Sequence, residues 1–126
     1  MAYLLAALGG ALGALARWGV ATALPRSPGS WPWATLTVNL LGCFLMGVLI
    51  AVLAARKPAG TWPRPLLGVG VLGGFTTYSA FAVEVVQAVE RDAAFLAAGY
   101  VVASTAGGLL AVVVGALVVR TSVRVP

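Results

Sequence analysis

The 126-residue sequence contains no histidine, a single cysteine and only three acidic residues, and 9% of it is charged. Each scarcity removes a class of function. Without histidine, and with Cys43 alone, no zinc or haem ligand set can be assembled and no intrachain disulfide can form. No nucleophile–base pair or metal cluster is present, which argues against an enzyme. A soluble domain carries about 25% charged residues, because its surface must face water. Here 61% of the residues are hydrophobic, more than so short a chain can bury within itself. The solvent for most of these side chains is therefore lipid.

What is present is four long apolar runs. A spanning helix needs about 20 predominantly apolar residues. The runs extend from about Tyr3 to Leu24, Trp33 to Ala55, Leu66 to Val89 and Ala94 to Val119. They predict an all-α membrane protein with one transmembrane domain over residues 1–126. The first run has no basic stretch ahead of it and is long enough to span, so it is expected to be retained rather than cleaved. Between the runs, residues 25–32 and 56–65 are rich in proline, which lacks an amide donor and breaks helices. Glu90-Arg91-Asp92 reads as a tight charged corner. Trp31, Trp33 and Trp62 stand where an interfacial aromatic belt belongs.

The net charge of +5 is carried mostly by residues just outside the runs, where they meet headgroups and set orientation; nucleic acid is not an expected partner. Arg56, Lys57, Arg64, Arg120 and Arg124 fall on the side of the termini, against Arg26 and Arg91 on the other. This bias favours cytoplasmic termini by a small margin. Gly99, Ala103, Gly107, Ala111 and Gly115 form a stripe of small residues suited to close helix packing.

A polar residue deep in a span costs several kcal/mol unless it finds a partner, so each is a candidate for function. Arg17 has no carboxylate in the first two runs; it either snorkels to the headgroups or faces a watery vestibule, where it would concentrate anions. Thr35 and Asn39 are one turn apart and share a face. They are either an interhelical hydrogen bond or donors that replace water around a small anion. Gly73-Gly74-Phe75-Thr76-Thr77-Tyr78-Ser79-Ala80-Phe81 interrupts the third run, since paired glycines weaken a helix and neighbouring hydroxyls divert its hydrogen bonds. An opened helix exposes carbonyls that suit a hard cation such as sodium. Tyr78 and Phe81 share a face, and aromatic edges are electropositive. Tyr100 and Ser104, with Thr105 beside them, either line a path or bond back to their own helix. Glu84 is the one carboxylate inside a span, as proton carrier, hydrogen-bond acceptor or interfacial charge.

Three stretches together resemble the Fluc (CrcB) fluoride channels. Residues 9–18, GGALGALARW, resemble the family's GGxxGAxxR opening. Residues 35–47, TLTVNLLGCFLMG, resemble TLxVNxxGxFxxG, and residues 73–81, GGFTTYSAF, resemble GGxTTFSxF. The resemblance implies a passive fluoride-selective channel of the plasma membrane that lowers fluoride toxicity. It implies an antiparallel dual-topology dimer, formed with itself or with a homologous partner chain, and two pores. A structural sodium ion, not transported, would be held by carbonyls at the positions of Gly73 and Thr76. Asn39, Tyr78, Phe81, Ser79 and Thr77 fall on pore positions, Tyr100 and Ser104 on a polar track, Thr35 and Glu84 on polar positions nearby, and Arg17 on a vestibule position. Two departures are Tyr78, where the family usually has phenylalanine, and Gly108, where the track often continues with serine. Two other readings are a small multidrug exporter, disfavoured because Arg17 stands where such a carrier needs a carboxylate, and a non-conducting scaffold.

Overall fold

The computed structural model describes residues 1–56 and 60–122. Lys57 and Arg124 of the charge comparison lie outside the described residues. Among those described, four helical spans are long and apolar enough to cross a membrane: Ala2–Ala23, Trp33–Ala55, Arg64–Glu90 and Ala94–Ser122. The shortest, at 22 residues, reaches about 33 Å, enough for a hydrocarbon core of about 30 Å. The chain is a multi-pass membrane protein, as its composition requires. The third span starts at Arg64 and the fourth continues to Ser122, both slightly beyond the apolar runs.

The first two spans are α1 (Ala2–Ala23) and α2 (Trp33–Ala55). The third span is bent into two pieces. Its first piece, α3, is a wide π-helical stretch, Arg64–Leu72, followed by one α-helical turn, Gly73–Phe75. The amide of Gly73 reaches back to the carbonyl of Gly68, five residues away, as the wider coil requires. Its second piece is α4 (Tyr78–Glu90), and the fourth span is α5 (Ala94–Ser122). The charged corner at residues 90–92 is a helix stop. Asp92 takes φ +58, its amide donates to Val89 O, and the amide of Ala93 donates to Ala88 O at 2.9 Å. These two bonds satisfy carbonyls that the ended helix would otherwise leave free.

The helices pack as two close pairs, α1 along α3 and α2 along α5, with α4 also resting on α5. Without a hydrophobic force between helices in lipid, such pairs depend on backbones approaching closely. A Cβ at Gly13 would lie 2.7 Å from Phe75 N and would overlap the Val71 carbonyl, so only glycine fits. On α5, Gly115 lies directly against the backbone of α2 at Phe44, and Gly107 against the side chain of Leu40. The small-residue stripe thus serves the α2–α5 contact at Gly107 and Gly115, while Gly99 meets Trp31 of the loop that precedes α2. Large apolar side chains such as Leu12, Leu15, Val102, Leu109 and Leu110 remain exposed, as a lipid-facing surface allows.

Candidate functional site

The bend in the third span positions the site. Thr76 (φ −82, ψ 160) and Thr77 (φ −148, ψ 124) are extended, while Gly73 keeps helical torsions. The glycine pair expected to open the helix therefore lies just before the break, and the two threonines form it. Gly74 serves packing instead, with its Cα against the backbone of Gly10, where a Cβ would overlap. Thr76 ends α3 by returning both its amide (3.0 Å) and its hydroxyl (2.8 Å) to Leu72 O. Thr77 caps α4 by accepting from the Ala80 amide.

The break is clamped by one side chain of α2. Asn39 accepts from the Thr77 amide (2.8 Å) and donates through Nδ2 to the Thr77 carbonyl (2.9 Å). An amide alone among uncharged side chains offers donor and acceptor in this fork. Three residues on, Gly42 leaves room for the methyl group of Thr76. The expected pairing of Asn39 with Thr35 on one face holds by position, yet their hydrogen bonds diverge: Thr35 donates to Glu84 instead.

Beside the clamp is a groove of about 310 Å³ lined by Asn39, Cys43, Thr76, Thr77, Tyr78, Phe81, Ser104 and Thr105. Among the described residues, no charged side chain lines it. The rings of Tyr78 and Phe81 stand 5.9 Å apart, with Tyr78 80% exposed. Ser79 is exposed, its hydroxyl 3.3 Å from that of Thr77. Of the two α5 hydroxyls that line the groove, that of Thr105 bonds back to Val101 O at 2.7 Å. The buried Ser104 Oγ has no partner among the described residues. Gly108, where a serine was the expected continuation, is buried against α2; a Cβ there would lie 3.4 Å from Cys43 Sγ.

Tyr100 and Glu84 lie outside this groove, in a polar knot behind Phe81. Glu84 accepts from Thr35 Oγ1 (2.8 Å) and from the fully buried Tyr100 hydroxyl (2.7 Å). Of its three possible roles, hydrogen-bond acceptor is the one the geometry displays. The Tyr100 ring is 5.2 Å from that of Phe81, so the knot backs a residue that lines the groove. Arg26, Gln87 and Trp31 join this cluster, and sequence reasoning had not singled them out for it. Arg26 Nη1 is 3.8 Å from Glu84 and 3.3 Å from Gln87, and Trp31 stands edge-on to Tyr100. A signal was available: Arg26 is the one cation in the first loop, on the membrane side towards which α4 runs.

Arg17 lines a separate cavity of about 280 Å³ with Trp18, Thr35, Val38, Thr77 and Ala80. It is half-buried and makes no ion pair among the described residues. Thr77 borders both this cavity and the groove. Among the described residues no cluster of histidine, cysteine or carboxylate side chains is grouped to hold a metal, so a cation would need neutral oxygens. The break fits that requirement. The Thr77 amide, which would close the helix on the Gly73 carbonyl, is taken by Asn39, and Gly73 is exposed.

A family model described as CrcB-like protein, Camphor Resistance (CrcB), matches residues 4–116. The chain is 46% identical over 112 residues to the "Fluoride-specific ion channel FluC 1" of Mycolicibacterium paratuberculosis, covering 89% of this chain and 85% of that protein. It is 45% identical over 119 residues to the "Fluoride-specific ion channel FluC" of Chelativorans sp., covering 94% and 95%. With its namesake from Phenylobacterium zucineum it shares 48% identity over 123 residues, again covering 94% and 95%. The matches run through every span and through the threonine break with its asparagine clamp, and on them the chain belongs to the CrcB family.

Proposed function

We propose that this protein is a fluoride channel that exports the ion passively down its electrochemical gradient. The observation that carries the reading is the groove beside the break, whose lining is uncharged and whose buried Ser104 hydroxyl lacks a protein partner. Buried polar groups in native proteins are almost always paired, so an unpaired one marks a place where water or an ion completes the set. A small, strongly hydrated anion leaves water only where donors wait for it. Ser104, the second Nδ2 proton of Asn39 and the aromatic edges of Tyr78 and Phe81 are such groups. Thr77 lines the groove, and Ser79, outside its lining, reaches it only through the Thr77 hydroxyl 3.3 Å away. Arg17, half-buried and without a counter-charge among the described residues, would raise the local anion concentration at an entrance. Thr35, Glu84 and Tyr100 support the wall behind Phe81. The relatives that the chain matches are named ion channels, and a channel carries out no covalent step, so the protein is not an enzyme.

The working unit is an antiparallel dimer, formed with a second copy or a homologous chain. Tyr78 and Val69, on either side of the break, are 80% and 69% exposed and leave this face open to a partner. A structural sodium ion on that face would use the carbonyls of Gly73 and Thr76. Two oxygens are a fraction of a hard cation's shell, so the second subunit must supply more. Replacing sodium with a large organic cation is then expected to weaken the dimer. An oligomer and an efflux rate that both survive the exchange would remove sodium from the scheme.

Fluoride efflux from liposomes holding only this purified chain, read by a fluoride electrode beside a chloride control, tests the function. Rapid fluoride-only efflux supports the channel. Silent but well-folded protein that starts to conduct on adding a homologous chain supports the heteromer. Export of a cationic dye driven by protons would replace both with the multidrug carrier. Tyr78→Phe is expected to conduct at least as well as the parent, because Tyr78 is 80% exposed. A large loss would show the hydroxyl to be used.

A further inference from the structure

The loop between α1 and α2 is built to be stiff. Pro25, Pro28 and Pro32 fix three torsions, and Gly29 takes φ +79. Both the amide (3.1 Å) and the hydroxyl (2.7 Å) of Ser30 donate to Ser27 O. The loop's one charged residue, Arg26, turns inward, with its side chain 23% exposed and Nε enclosed without an acceptor among the described residues. A snorkelling arginine does the reverse, leaving its stem in apolar surroundings and sending its head to water. An enclosed guanidinium loses hydration, and a negative partner offsets that cost.

Glu84 is that partner, 3.8 Å away and itself 15% exposed. Its oxygens already accept from Thr35 and Tyr100, and Tyr100 packs on Phe81 at the groove wall. A line of contacts therefore runs from the loop to the groove: Arg26, Glu84, Tyr100, Phe81. Trp31 of the same loop touches this line again, its ring 6.3 Å from that of Tyr100.

We propose that Arg26 is a positioning residue for the anion path, holding Glu84 in place and cancelling its charge close to the groove. The proposal rests on the fluoride-channel reading above. Without Arg26, the carboxylate would stand uncompensated in a medium of low dielectric and oppose any anion passing Phe81. The aromatic wall would also lose the anchor behind Tyr100.

The test compares fluoride efflux for the parent, Arg26→Gln, Arg26→Lys and Arg26→Gln combined with Glu84→Gln, each checked as a monodisperse protein. Arg26→Gln should slow efflux by about tenfold or more, the effect of an uncompensated charge nearby. Arg26→Lys should stay within about threefold of the parent, since it keeps the charge and loses only the fork geometry. The double variant should recover most of the loss. A normal rate in Arg26→Gln would overturn the proposal, as would a double variant no faster than Arg26→Gln. Thermal unfolding of the same set with Glu84→Gln alone completes a cycle that does not depend on conduction. If the parent moves no fluoride, either alone or with a homologous chain, the channel reading falls. Non-additive midpoints would then still support Arg26 as the residue that positions Glu84, and additive ones would overturn it.

Discussion

Asn39→Asp is expected to cut fluoride efflux by about 100-fold, corresponding to about 3 kcal/mol on the barrier. Two losses act together to give an effect of this size. The side chain would keep an acceptor for the Thr77 amide but lose the Nδ2 donor that now holds the Thr77 carbonyl at 2.9 Å. A carboxylate oxygen facing a carbonyl oxygen repels it, so the clamp opens on one side. The second loss is electrostatic, because a negative charge would enter a groove lined by uncharged groups. At about 5 Å and an effective dielectric of about 20, it opposes a fluoride ion by about 3 kcal/mol. Efflux from liposomes measures the effect, with size-exclusion profiles to establish that the variant is folded. Undiminished flux would remove Asn39 from the ion path and leave it a structural clamp only.

Gly13→Ala is expected to lower thermal stability more than any other single methyl addition on α1 outside Gly9. Its Cβ would lie 2.7 Å from Phe75 N and overlap the Val71 carbonyl, both backbone atoms that cannot rotate away. The helices must separate, and overpacking of this kind costs about 1–3 kcal/mol or more. For a chain of this size the unfolding midpoint in detergent should fall by about 10 °C. Gly19→Ala is the control, because a Cβ there meets nothing within 4 Å. A methyl at Gly19 should leave the midpoint unchanged or raise it slightly through helix propensity. Equal midpoints for the two variants would mean that the α1–α3 contact is looser than the structure has it. Because Phe75 immediately precedes the threonine break, a shifted α3 should also disturb the groove, and Gly13→Ala should lose efflux along with stability.

The membrane class and the four spans were legible in composition and run length alone, since the bilayer imposes both. Helix ends were legible to within a few residues wherever proline or a charged corner stopped the run. The polar residues of the site could also be named in advance, because lipid tolerates few of them without a partner. Their partners could not be read in the same way. Thr35 and Asn39 share a face by spacing, yet Thr35 turns to Glu84 while Asn39 takes the backbone of Thr77. Tyr100 and Ser104 are one turn apart, yet one is tied into a buried knot and the other is left unpaired beside the groove.

The break shows the same division. Glycine next to glycine marks a weak point in a helix, and the sequence places it within three residues of where the chain opens. Whether it opens at the glycines depends on which backbone groups find other partners. Gly73 and Gly74 remain helical, with Gly74 needed for contact with Gly10, and Thr77 gives its amide to a side chain 38 residues earlier. Likewise, Arg26 reads in the sequence as one charge in a loop, and only its fold back onto α4 gives it a carboxylate. Local chemistry thus determined that the chain lies in the bilayer, where its helices begin and end, and which residues had to be satisfied. Which group satisfies each one was decided by tertiary structure, because a hydrogen bond depends on distances and directions between helices that spacing along one helix does not contain.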